Sequence, residues 1–144
     1  RTICLRWPDH LRAHQLGQWA MKHPWLEIRE EASRVLSRLY SKDTETPELI
    51  APHIGESHII FGEYTALMMG RPEGLKTALA ALENFEEPHD RQYLALDGPL
   101  YLIRYFGPRK DLAAALHGLS ERTNNPRLKE GIAKVFSKYF KPLA

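Results

Sequence analysis

The sequence predicts an all-α chain built from about four antiparallel helix hairpins, and three observations carry that prediction. The first is an internal repeat. Ser33-Arg34-Val35-Leu36-Ser37-Arg38-Leu39-Tyr40 lies 100 positions before Ala133-Lys134-Val135-Phe136-Ser137-Lys138-Tyr139-Phe140, and residue class agrees at nearly every place. That offset is three steps of about 33, inside the usual range for helical solenoids. The second is periodicity. Ile28, Ala32, Val35, Leu36 and Leu39, and again Leu128, Ile132, Val135, Phe136 and Tyr139, each form one apolar stripe of a 3.6-residue helix. The third is punctuation. Each stripe begins just after a proline, Pro24 or Pro126, and follows another amphipathic segment after a very short turn. A short connection forces neighbouring helices to run antiparallel.

In chain order, the segment from Asp9 to His23 reads as a first helix with Leu11, Leu16, Trp19 and Ala20 as its apolar set, which places Trp19 in the core. Its hairpin partner carries the Ile28 stripe. The polar stretch Lys42-Asp43-Thr44-Glu45-Thr46 reads as a connection. A short helix from Pro47 to His53 and a longer one from Glu56 to Met69 form an irregular second pair, with Phe61, Tyr64, Met68 and Met69 as a stripe. Pro72 to Phe85 is a helix with Leu75, Leu79, Leu82 and Phe85. Pro88 to Phe106 supplies its partner through Leu96, Leu100 and Ile103, and Gly98-Pro99 predicts a bend near Asp97 because an internal proline removes a helix hydrogen bond. Arg109 to Thr123 carries Leu112, Ala115, Leu116 and Leu119, and Asn124 and Asn125 are N-cap candidates for the last helix. Gly70-Arg71-Pro72 and Gly107-Pro108 read as helix stops followed by starts. Thr2 to Trp7 reads as the tail of a preceding helix. Gly62, Gly98 and Gly131 fall inside helical patterns, where they mark bends or close helix contacts.

Composition bounds the function. Apolar residues make up 43% and charged residues 26%, which excludes collagenous, mucin-like and strongly disordered classes. Twenty basic against eighteen acidic residues give a net charge of +2, so no bulk charge drives the chain toward nucleic acid or a membrane surface. No apolar run approaches the roughly 20 residues of a spanning helix, so membrane insertion is not expected. Cys4 is the single cysteine, which excludes an internal disulfide framework and fits a cytoplasmic location. The first residues lack the charged-then-apolar order of a secretory leader. A start at Arg1 rather than Met is what a piece of a longer protein or a processed chain would show.

The pattern of proline, apolar residue, basic residue and spaced apolar stripe resembles a HEAT repeat. It is carried by Pro24, Ile28, Arg29, Ala32, Val35, Leu36 and Leu39, and again by Pro126, Leu128, Lys129, Ile132, Val135, Phe136 and Tyr139. Arg91, Leu96, Leu100 and Ile103 carry it in part, and the second unit departs from it. The resemblance implies a right-handed α-α superhelix of about four HEAT-like hairpins in a single domain over 1–144, with repeats at approximately 8–41, 46–70, 72–107 and 109–141. It also implies that the second (B) helix of each hairpin lines the concave side.

On that reading the matched pairs Arg34 with Arg38 and Lys134 with Lys138, spaced i and i+4, share a face away from the apolar stripe. With Arg127 and Lys141 they would give a groove basic ends, where an acidic peptide or a phosphate backbone could lie. Six basic residues stand against two acidic ones from Glu121 to Ala144, and five acidic against one basic from Glu83 to Asp97. Opposed patches on a near-neutral chain suit a protein partner better than an extended nucleic acid. Trp25, at a turn, is a candidate aromatic anchor. The expected function is therefore a non-catalytic scaffold that binds a partner protein or peptide through Trp25, Arg34, Arg38, Arg127, Lys134 and Lys138. The alternative is a HEAT-like nucleic-acid-binding or DNA-repair protein using a basic groove, and a weaker third is a HEAT-like bilin lyase. No cofactor or metal is expected. His10 and His14 have a metal-compatible spacing, but no third ligand is placed. HEAT-like deoxyhypusine hydroxylases hold iron through His-Glu dipeptides, and this chain contains none. Cys4 has no evident base beside it, and no phosphate-cradling glycine loop or serine elbow is present.

Overall fold

A computed structural model describes residues 11–85 and 93–140, with side chains from 14 onward. These residues form eight α-helices and one 3-10 turn, and no strand occurs among them. In chain order the helices are α1 (Leu11–Ala20), α2 (Leu26–Leu39), α3 (Thr46–Ile50), α4 (His58–Leu67), α5 (Pro72–Glu83), α6 (Tyr93–Phe106), α7 (Lys110–Arg122) and α8 (Pro126–Tyr139), with the 3-10 turn Ala51–His53 continuing α3. The expectation for Thr2 to Trp7 lies outside the described residues, as do His10, Arg91 and Lys141. No described helix is long and apolar enough to cross a membrane.

Local chemistry sets the helix ends. The Asn125 side chain accepts the backbone N–H groups of Arg127 and Leu128 at 2.9 and 3.2 Å, satisfying donors that a helix start leaves orphaned. Ser57 caps α4 in the same way through the N–H of Ile59. Gly70 and Gly107 take φ of +77° and +84°, the left-handed region that favours glycine, and so end α4 and α6.

The even-numbered helices pack in a row, α2 on α4, α4 on α6 and α6 on α8, while α1, α3, α5 and α7 each pack on the helix that follows. One continuous apolar cluster runs through both sets, with Leu36, Phe61, Leu82, Leu102 and Leu116 fully buried. Burying each such side chain contributes roughly 1.5–3 kcal/mol against exposure. The two repeat copies bury matching positions, Ala32 and Val35 in α2 and Ile132 and Val135 in α8. Their last stripe members, Leu39 and Tyr139, are both exposed.

One expectation changes. Trp19 is not core; it is 63% exposed, and Leu16 is 42% exposed. Helix α1 instead turns Gly17 inward, with Met21 buried just past its end, and Gly17 sits against Leu36. Gly17 and Met21 lie one turn apart, so a small residue that admits α2 closely sets the buried face in place of the larger stripe. Gly98-Pro99, where the sequence predicts a bend, lies inside α6, which runs through both residues. Pro99 has no N–H, so the Ala95 carbonyl lacks its i+4 donor. Helix α8 packs at that point: a Cβ on Gly131 would lie 2.5 Å from the Ala95 oxygen and 2.9 Å from the Leu96 oxygen. The missing Cβ is what lets α8 approach the α6 backbone.

Gly131→Ala is expected to push α8 off α6 and destabilise the protein by about 1–3 kcal/mol, the usual cost of overpacking. The control is Gly118→Ala, whose Cβ would meet only the tip of the Arg122 side chain at 3.0 Å. It should be neutral or gain about 0.5–1 kcal/mol from helix propensity. Urea titration of both variants tests the pair.

Candidate functional site: a groove across three successive helices

An open groove of about 560 Å³ lies over α4, with α2 on one side and α6 on the other. Its floor is low because α4 presents small residues there, Gly62 and Ala66. The Tyr101 ring from α6 crosses Gly62, where a Cβ would stand 3.3 Å from the ring. The α2 wall carries Arg34, Ser37 and Arg38, and the α6 wall carries Tyr101, Arg104 and Tyr105.

Charge in the groove is organised around one carboxylate. Glu63, 12% exposed, rises from α4 and accepts from Arg38 Nη2 at 2.6 Å, from Arg38 Nε at 3.4 Å and from the Ser37 hydroxyl at 2.6 Å. These hydrogen bonds and the Glu63 charge hold the Arg38 guanidinium above its ordinary pKa. Arg34 turns back along its own helix to Glu31 at 2.6 Å. Arg104 is exposed, with its guanidinium carbon 5.7 Å from the centre of the Tyr101 ring. Burial, and then the nearby Asp97 charge, push the Tyr101 phenol above its usual value, so it remains a neutral donor.

Arg34 and Arg38 are thus the two expected residues that line this groove. Lys134 and Lys138 are exposed on α8 and do not line it; Lys134 stands 3.6 Å from Glu130, and the Lys138 ammonium lies 5.3 Å from the Tyr139 ring centre. Arg127 is exposed in the first turn of α8. Trp25, 68% exposed, occupies the N-cap position of α2 with its ring against His23, which also meets Trp19. These three rings form a separate corner of the molecule's surface.

Glu63, Tyr101, Arg104 and Tyr105 were missed by sequence reasoning. The second unit departs from the repeat, so Glu63 had no counterpart to align with. A signal did exist on α6: Tyr101, Arg104 and Tyr105 are spaced i, i+3 and i+4 on one helix face.

The remaining polar clusters stabilise corners. Arg29 pairs with Glu56 at 2.9 Å, and His53 Nδ1 also meets Glu56 at 2.9 Å. The Ser57 hydroxyl donates to Glu30. Together they tie α2 to the connection before α4. His14 stacks on Tyr40 with ring centres 4.3 Å apart and stands 3.1 Å from Asp43. Among the described residues no group of three His, Cys, Asp or Glu side chains is placed to hold a metal ion. Compared with protein-family models, with curated proteins and with solved structures, the chain matches none.

Because Arg38 is 65% exposed, its pair with Glu63 is expected to contribute only about 0.5 kcal/mol to stability despite good geometry. A double-mutant cycle of Arg38→Ala and Glu63→Ala should read that coupling, and it should shrink as salt is raised.

Proposed function

We propose that this chain is a non-catalytic, HEAT-like interaction module that binds a partner protein or peptide on its B-helix face. In this reading the four hairpins α1–α2, α3–α4, α5–α6 and α7–α8 form a right-handed α-α superhelix, with α2, α4, α6 and α8 as the inner layer. Support comes from the packing order, in which each even-numbered helix contacts the next. The observation that carries the functional reading is the groove itself. It is built from three successive B helices and lined by arginine and tyrosine, residue types enriched at protein interfaces.

The basic pairs of α2 and α8 also motivate nucleic-acid binding. Two features weigh against it. The groove contains its own carboxylate, Glu63, and Arg34 and Lys134 already pair with glutamates. An extended phosphate backbone needs a run of free cations, and in the groove Arg34 and Arg38 are already held by carboxylates.

An affinity pull-down from lysate, with nuclease-treated controls, tests the proposal. Partner recovery is expected to fall at least fivefold with Arg34→Glu/Arg38→Glu, to change less than twofold with Lys110→Glu, and to be indifferent to nuclease. Recovery that vanishes with nuclease would replace this reading with the nucleic-acid one. Recovery unaffected by the Arg34→Glu/Arg38→Glu change would remove the groove from it.

A further inference from the structure

We propose that the groove selects an acidic peptide segment, with Arg104 as the anchor for a ligand carboxylate and Glu63 as a built-in competitor that holds Arg38 back. This rests on the preceding reading of the groove as a peptide site and names the chemistry of its ligand.

Three observations carry it. The groove already grips a carboxylate: Glu63 sits in the fork of Arg38 and under the Ser37 hydroxyl, at 2.6, 3.4 and 2.6 Å. The α2 wall therefore has the geometry for a charge-assisted carboxylate contact, and the chain's own side chain occupies it. Across the floor, Arg104 is exposed, and among the described residues no carboxylate lies within ion-pair distance of it. Its contact with Tyr101 backs the guanidinium with a ring face while leaving its N–H groups available. The lining holds three arginines against one glutamate, and Glu31 takes up Arg34, so the surplus charge is that of Arg104. The surplus positive charge favours an anionic ligand, and the planar fork of an arginine can hold a carboxylate through two hydrogen bonds. An extended segment with several acidic residues can present carboxylates to both walls of the groove. Such a segment can engage Arg104 from α6 and, by exchanging with Glu63, Arg38 from α2.

Removing a glutamate from a binding groove commonly costs a contact. Here Glu63→Gln frees the Arg38 fork and raises the positive charge of the lining, so binding of an acidic ligand should strengthen.

Fluorescence anisotropy with a fluorescein-labelled hexaglutamate peptide at low salt tests this. Hexaglutamine and a short oligothymidylate serve as comparison probes, and circular dichroism melts confirm that each variant folds. The wild type is expected to bind hexaglutamate and not hexaglutamine. Arg104→Gln should weaken binding about tenfold, the value of one charge-assisted contact, and Glu63→Gln should strengthen it about fivefold. Lys138→Gln, outside the groove, should change it less than twofold. The proposal is overturned if hexaglutamate does not bind, if oligothymidylate binds more tightly, or if Arg104→Gln and Glu63→Gln leave affinity unchanged. If the pull-down partner is lost with Arg34→Glu/Arg38→Glu while hexaglutamate fails to bind, the peptide groove stands and its acidic selectivity fails. Loss of both results removes both readings.

Discussion

Everything in this molecule depends on the seam along which the even-numbered helices pack side by side. A hairpin of two short helices has more apolar stripe than its own partner helix can cover, so each B helix must bury its remaining face on the next hairpin. The seam is tightest between α6 and α8, where Gly131 lies against the backbone carbonyls of Ala95 and Leu96. Pro99 deprives the Ala95 carbonyl of its helical donor, and a bare Cα is the one surface that can approach that oxygen closely. A proline in one helix and a glycine in another, far apart in the chain, thus act as a matched pair.

The groove is a by-product of the same seam. Where α4 sits between α2 and α6, its outward positions are small, and the flanking helices rise above it with long side chains. Backbone approach and side-chain size therefore decide the shape, and electrostatics decide what the shape can hold. Glu63 absorbs one of three guanidiniums, Glu31 draws back a second, and Arg104 is left standing over Tyr101. The arrangement is a partly neutralised cationic trough, which discriminates by where its free charge lies more than by how much charge it has.

At the α1–α2 corner Leu16, Trp19 and Trp25 are all exposed, with His23 against both indole rings. Gly17 of α1 and Met21 just past its end are buried instead, because close contact with α2 through a glycine recovers more packing than a tryptophan that would hold the two helices apart. Hydrophobic periodicity identifies this helix and misassigns its inner face for that reason.

Much of the architecture was legible in the residues alone. The spacing of apolar positions, the prolines at helix starts, Asn125 as a cap and the glycines at 70 and 107 as stops are local effects, and local sequence is sufficient to determine them. The all-helical class and the helix order follow from these. The internal repeat also marked Arg34 and Arg38 as a basic pair on a B helix. It could not say that Lys134 and Lys138, basic residues in the same register, meet a different fate. Helix α2 has α4 beside its Ser33 and Ser37 edge, so both serines are buried and Arg38 reaches Glu63. On α8 the neighbour α6 lies on the Gly131 edge, so Ala133 and Ser137 are exposed and the lysines face no further helix among the described residues. The sequence by itself determined the helices and their apolar stripes, because those depend on near neighbours in the chain. Only the tertiary structure decided which basic pair enters a groove and which carboxylate it meets, because that depends on the side from which the next helix arrives.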